Sequence, residues 1–192
     1  MKRNAFLLTE LVRRDLAVRY AGSFGGAAWA LLNPLVLCGL YSLVFSLIVR
    51  IPPPEGFRGA YAEFLLAGLL PWLGFQDALM QSSGSITGQA HLVKKVAFRL
   101  ELLVLASVVS ALLLQLAGIV VFAGLSGGLG AGRIRVVPLL AGAALELLIL
   151  VGPAFALAAT TVLFRDLSQL LGPLLTVGFY LTPVLYPESM VP

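Results

Sequence analysis

Charge is what this chain has least of. Tyr20 to Val49, Leu102 to Gly132 and Leu167 to Pro187 contain no Asp, Glu, Lys or Arg; Phe64 to Ala90 contains only Asp77, and Val136 to Phe164 only Glu146. Charged residues are 11% of the chain and hydrophobic ones 59%, where an ordinary soluble domain has about 25% charged. A soluble helix must show water a polar face, so five such runs exclude a soluble globule of this size. Each run reaches the roughly 20 apolar residues a helix needs to cross the hydrocarbon core. Backbone groups in lipid must be satisfied within the segment, which makes the runs helices. Barrel strands alternate apolar and polar residues; Leu31-Leu32 and Leu112-Leu113-Leu114 do not.

Other absences remove chemistries. The pattern G-x-x-x-x-G-K-[S/T] needs a Lys followed by Ser or Thr. The three lysines, Lys2, Lys94 and Lys95, precede Arg3, Lys95 and Val96, so ATP hydrolysis by that loop is excluded. His91 is the single histidine and Cys38 the single cysteine, in different segments; no metal site, cofactor or internal disulfide is expected. No G-x-S-x-G elbow occurs. Ser85 lies near His91, but Ser82, Ser83 and Thr87 around it read as polar helix-end packing. About twenty mixed residues precede a first run too long for a signal core of roughly 7–15 residues, so a cleaved signal is not expected.

What charge there is has a pattern. Lys2, Arg3, Arg13, Arg14, Arg19, Lys94, Lys95, Arg99 and Arg165 fall on one side of the alternating runs, and Arg50, Arg58, Arg133 and Arg135 on the other. Nine against four puts the first side, with the N-terminus, in the cytoplasm. Ile51-Pro52-Pro53-Pro54-Glu55-Gly56 and the Gly-rich Ser126 to Gly132 read as short outer turns. Before the first run, Leu8, Val12, Leu16 and Tyr20 recur every fourth residue, with Glu10, Arg13 and Arg14 on another face. Glu10 with Arg14, and Asp15 with Arg19, have i,i+4 spacing for ion pairs. Such a segment suits a helix in the headgroup layer; equally, it is only a positive-inside anchor.

Asp77 and Glu146 are acids within apolar runs, where ionisable groups often face a cavity or partner. The plainer readings are a helix-end position for Asp77 and an interhelical hydrogen bond for Glu146. Neither has an evident basic partner. Gly22 and Gly26, four apart, permit close helix approach. Pro34, Pro71, Pro153, Pro173 and Pro183 can kink the spans.

Four motifs in order carry a resemblance over nearly the whole chain. The first is Arg14-Asp15-Leu16-Ala17-Val18-Arg19-Tyr20-Ala21-Gly22-Ser23, with Gly25, Trp29 and Asn33-Pro34-Leu35 following. The second is Phe64-Leu65-Leu66-Ala67-Gly68-Leu69-Leu70-Pro71-Trp72, and the third His91-Leu92-Val93-Lys94-Lys95-Val96-Ala97-Phe98. The fourth is Phe164-Arg165-Asp166-Leu167, leading to Tyr180-Leu181-Thr182-Pro183-Val184-Leu185-Tyr186-Pro187. Together they resemble the permease subunits of ABC-type polysaccharide exporters, the type-2 ABC exporter permeases that carry O-antigen, capsule or teichoic acid chains across bacterial inner membranes.

The resemblance implies an all-α integral membrane protein forming one permease domain over 1–192. An amphipathic interface helix at 1–20 precedes five transmembrane helices at 24–49, 62–85, 102–125, 136–162 and 167–187, with a cytoplasmic coupling segment at 86–100. The family has six spans, so the chain is expected to stop short of the sixth. Arg99 stands where the family usually has proline after Phe98, so the coupling helix is expected to run on into the third span. The implied partners are a separate ABC ATPase subunit, a second permease copy forming a homodimer, membrane lipid and the lipid-linked polysaccharide, with no nucleic acid. Arg14, Asp15, His91, Lys94, Lys95, Arg165 and Asp166 would couple to the ATPase; Tyr41, Phe45, Phe179 and Tyr180 would line the substrate path. The alternatives are a permease for a drug or lipid and a multi-pass membrane transferase.

Overall fold

The computed structural model of the chain describes residues 2–19, 21–22, 25–26, 28–48, 61–89, 99–128 and 136–186. Among these, all regular structure is helical. The elements are α1 (Lys2–Arg19), α2 (Ala28–Ser42) passing into a π-helical segment (Leu43–Ile48), α3 (Tyr61–Gly84), α4 (Glu101–Gly128), α5 (Val136–Leu163) and α6 (Leu167–Leu181). The segment 90–98, with most of the expected coupling region, lies outside the described residues.

Among the described residues, two helices are long and apolar enough to cross a membrane by length and composition alone: Glu101–Val121 within α4, 21 residues, and Ala141–Leu163 within α5, 23 residues. Half of the first is buried in the protein but only 17% of the second, so α4 is central and α5 peripheral. Leu145, Leu148, Ile149, Val162 and Leu163 of α5 are exposed, a face suited to lipid. The apolar stretches in α2 (Leu32–Tyr41) and α6 (Leu167–Leu181) are shorter. α3 has 24 residues, but Gln76, Asp77, Gln81, Ser82 and Ser83 make its second half polar.

The contacts fix the order of packing. Leu70, Gly74 and Asp77 of α3 meet Gly118, Gln115 and Ser110 of α4, the last through the shared Arg19 guanidinium. Numbers rising on α3 meet numbers falling on α4, so the two are antiparallel. Met80 and Trp72 of α3 likewise meet Gly172 and Gly178 of α6. The end of α3, the start of α4 and the α5–α6 turn therefore share one end of the bundle.

Small residues let these backbones approach, which matters because lipid supplies no hydrophobic drive between helices. Ala78, Ala111, Ala154 and Ala158 are buried where α3, α4 and α5 meet, with Leu79, Val104, Val108 and Leu150 around them. A Cβ built on Gly74 would stand 2.0 Å from Gln115 Oε1 and 2.8 Å from Gln115 Cβ. Buried hydroxyls bond back to their own helices: Ser107 Oγ donates to the Leu103 carbonyl at 3.2 Å and Thr161 Oγ1 to Leu157 at 2.8 Å. This satisfies them where no water can.

Among the described residues, Gly22 and Gly26 meet no other helix. Both lie in turns before α2, at φ +78° and +48°, with nothing within 4 Å of an added Cβ. Their lack of a Cβ serves the left-handed backbone of the α1–α2 connection instead. α6 ends at Leu181; extended Thr182 donates its N–H to the Gly178 carbonyl at 3.0 Å, and Pro183 cannot carry the helix on.

Candidate functional site

Two clusters share α3, one polar around Asp77 and one aromatic around Trp72. The polar one begins on α1. Asp15 and Arg19 lie one turn apart, and Arg19 Nε and Nη2 both reach Asp15 Oδ2 at 3.1 Å. The i,i+4 pair expected from spacing is therefore formed. Arg19 does not stop there. Its Nη1 donates to Asp77 of α3, and its Nη2 to Ser110 Oγ of α4 at 3.2 Å. Ser110 Oγ donates to Asp15 in turn. One guanidinium, with a side chain 10% exposed, thus ties three helices. A planar fork of five donors is suited to this in a way that a lysine ammonium is not.

Asp77 is thus neither at a helix end nor without a basic partner. It sits seven residues before Gly84, about 10 Å along the helix from its end. The sequence holds a trace of this: Arg19 is the last charge before the first run, and Asp77 the one charge inside the second. Nothing in periodicity could pair two residues 58 apart. Glu146 does make an interhelical hydrogen bond, accepting from Gln115 Nε2 at 2.6 Å. Beside these groups lies a cleft of ≈ 580 Å³ between α2, α3 and α4, with Asn33, Gln76, Asp77, Gln81 and Gln115 on its walls.

The expected coupling residues separate on this structure. Asp15 turns inward to Arg19 and Ser110. Arg14 is exposed and donates to Gln89 Oε1 at 3.2 Å, which sets α1 against the turn that follows α3. Arg165 and Asp166 are exposed in the α5–α6 turn. Asp166 precedes α6 without capping it through its side chain. His91, Lys94 and Lys95 lie outside the described residues.

The aromatic cluster joins α2, α3 and α6. Phe179 is 6% exposed, with its ring 5.8 Å from Tyr41, 5.7 Å from Trp72 and 5.5 Å from Tyr180. Such tilted and edge-on pairs add to simple area burial. Tyr41 is half-buried and within side-chain hydrogen-bonding reach of Tyr180, whose ring is exposed. Tyr186 Oη donates to the Tyr180 carbonyl at 2.9 Å. Phe45 falls within the π-helical segment; its side chain is not among those described.

Antiparallel apolar helices, small-residue contacts and one part-buried ionic knot are features of a helical membrane protein. The chain belongs to the ABC-2 type transporter family, whose profile matches residues 7–192. It is similar to the O-antigen export system permease protein RfbA of Myxococcus xanthus, 33% identical over 188 residues that cover 96% of this chain and 70% of that protein. Two proteins of the same description from Klebsiella pneumoniae are 30% and 28% identical, each over 97% of this chain and 71% of the relative. The family is a membrane transport component, not a catalytic one. The resemblance seen in the four motifs therefore holds.

Proposed function

We propose that the chain is the membrane-spanning permease of an ATP-driven exporter that moves a lipid-linked polysaccharide across the bacterial inner membrane. A separate ABC ATPase subunit supplies the energy. The observation that carries this reading is the near-complete alignment with relatives named for O-antigen export. The missing phosphate loop fits it, since every residue of that ATPase motif must then come from a partner.

The working unit is a homodimer, each copy holding an interface helix at 1–20, spans at 24–49, 62–85, 102–125, 136–162 and 167–187, and a coupling segment at 86–100. The N-terminus is cytoplasmic. The nine-to-four basic asymmetry supports this, as does the gathering of Arg99 and Arg165 at the bundle end where α3 finishes and α4 starts. Arg14, His91, Lys94, Lys95, Arg165 and Asp166 receive the ATPase at that end, and Asp15 acts through Arg19. Tyr41, Phe45 and Tyr180 line the path, where ring faces stack on sugar C–H groups and hydroxyls bond to the glycan; Phe179 packs behind them.

Coupling is tested by reversing Lys94 and Lys95 to Glu in the chain co-expressed with its ATPase. Reduced co-purification and less surface polysaccharide, at unchanged permease amount, are expected. Full capture of the ATPase with export intact would leave the lysines as topology signals and remove them from the coupling surface.

A further inference from the structure

We propose that Arg19 is a mechanical pin that makes α1, α3 and α4 one moving body, so that displacement received by α1 is delivered into the membrane-embedded pair. This rests on the reading above in taking α1 as the helix the ATPase pushes.

α1 packs along α4, and its link to α3 runs through Arg19. Val12 is buried and Leu7, Leu8, Leu11 and Leu16 are half-buried, while Phe6 and Val18 are exposed. Apolar packing against one helix alone would let α1 slide or tilt when pushed, and the push would reach α3 only weakly. The polar contacts are different in kind. Arg19 stands at the last position of α1 and reaches Asp15 on its own helix, Asp77 on α3 and Ser110 on α4. Ser110 closes the ring by donating to Asp15. Each helix is held to the other two through one planar cation, and charge-assisted contacts of this geometry resist reorientation more than apolar contacts do.

Location adds to the case. Asp77 and Ser110 stand some way inside their helices, the latter nine residues beyond Glu101. Breaking the pin would leave a part-buried charge without its partner, which is costly. The neighbouring cleft keeps one edge of Asp77 accessible, at 36% of its side chain. Two carboxylates and one guanidinium form the unit, and their arrangement between helices, rather than the identity of the bearer, should decide whether the pin holds.

That last point gives the test. Arg19→Glu alone puts three acids together; Asp77→Arg alone puts two bases beside one acid. The double variant restores two acids and one base with the cation on α3. Each is made in the full chain bound to its ATPase, and two readouts are taken. Hydrogen exchange of the α1 amides reports docking, with α4 and α5 amides as the control for folding. Polysaccharide exported per ATP hydrolysed reports transmission. Each single variant should speed α1 exchange and lower the export-to-hydrolysis ratio by about tenfold, a typical coupling magnitude, with α4 and α5 exchange unchanged. The swap should recover both. Single variants with α1 exchange as slow as in the unmodified chain would overturn the pin, as would a swap no better than the worse single variant. If docking follows the pattern but the unmodified complex exports no polysaccharide, the pin stands and the cargo assignment fails.

Discussion

Gln115 on α4 donates from Nε2 to Glu146 Oε2 on α5 at 2.6 Å, while Gln115 Oε1 and Glu146 Oε1 are buried with no partner among the described residues. The contact is the polar link between the central helix and the peripheral one. Glu146→Gln keeps an acceptor and should change thermal stability little. Glu146→Leu strands the Gln115 amide and should cost about 1 kcal/mol, the usual scale of interhelical hydrogen bonds in membranes. Replacing both with Leu should recover most of that, because removing both partners is nearly neutral. Melting of the purified protein in detergent measures all three. A double variant less stable than Glu146→Leu would show that Gln115 is held by something other than Glu146.

Gly74 is the close-approach point between α3 and α4. Gly74→Ala would press a methyl into Gln115 Cβ as well as its amide, and rotating the end of the side chain cannot relieve that. Overpacking of this sort costs about 1–3 kcal/mol. Gly142→Ala and Gly152→Ala on α5 meet open space and should leave the melting temperature unchanged or raise it. Combining Gly74→Ala with Gln115→Ala should restore part of the loss, and an additive double loss would contradict the contact.

The aromatic residues divide by burial. Phe179→Ala empties a core position and should cost about 3–5 kcal/mol, seen as less folded protein in the membrane. Tyr180 exposes its ring, so Tyr180→Ala should leave protein amount near normal while lowering export. Tyr41→Ala should do some of each, since its ring packs on Phe179. Quantified permease and surface polysaccharide from the same cells separate the two effects. Export that simply tracks protein amount for Tyr180→Ala would make it a packing residue.

How much of this was legible in the chain differs by interaction. The helices and their apolar character follow from runs without charge, because lipid allows a buried backbone no other regular form with those residues. The Asp15–Arg19 pair follows from i,i+4 spacing. What spacing could not give is which helices meet. Asp77 looked unpartnered because its partner comes from before the first run, and Gln115 was unremarkable until α5 placed Glu146 against it. Gly22 and Gly26 show the converse: a spacing that permits helix contact was used for turn geometry instead.

Orientation can be tested by single cysteines in a Cys38→Ser background. Cysteines at Gly56 and Gly130 should react with an impermeant thiol reagent in intact cells, and one at Gln89 should not. The reverse pattern would place the N-terminus outside and detach α1 from any cytoplasmic ATPase.

The most direct measurement uses the permease with its ATPase in sealed vesicles carrying lipid-linked polysaccharide on the ATP-accessible leaflet. Lectin binding to glycan on the opposite side should rise with added ATP, and should not rise when the ATPase subunit is hydrolysis-deficient. Transfer that ignores ATP, or a complex that hydrolyses ATP and moves a lipid or a hydrophobic drug but no glycan, would contradict the account.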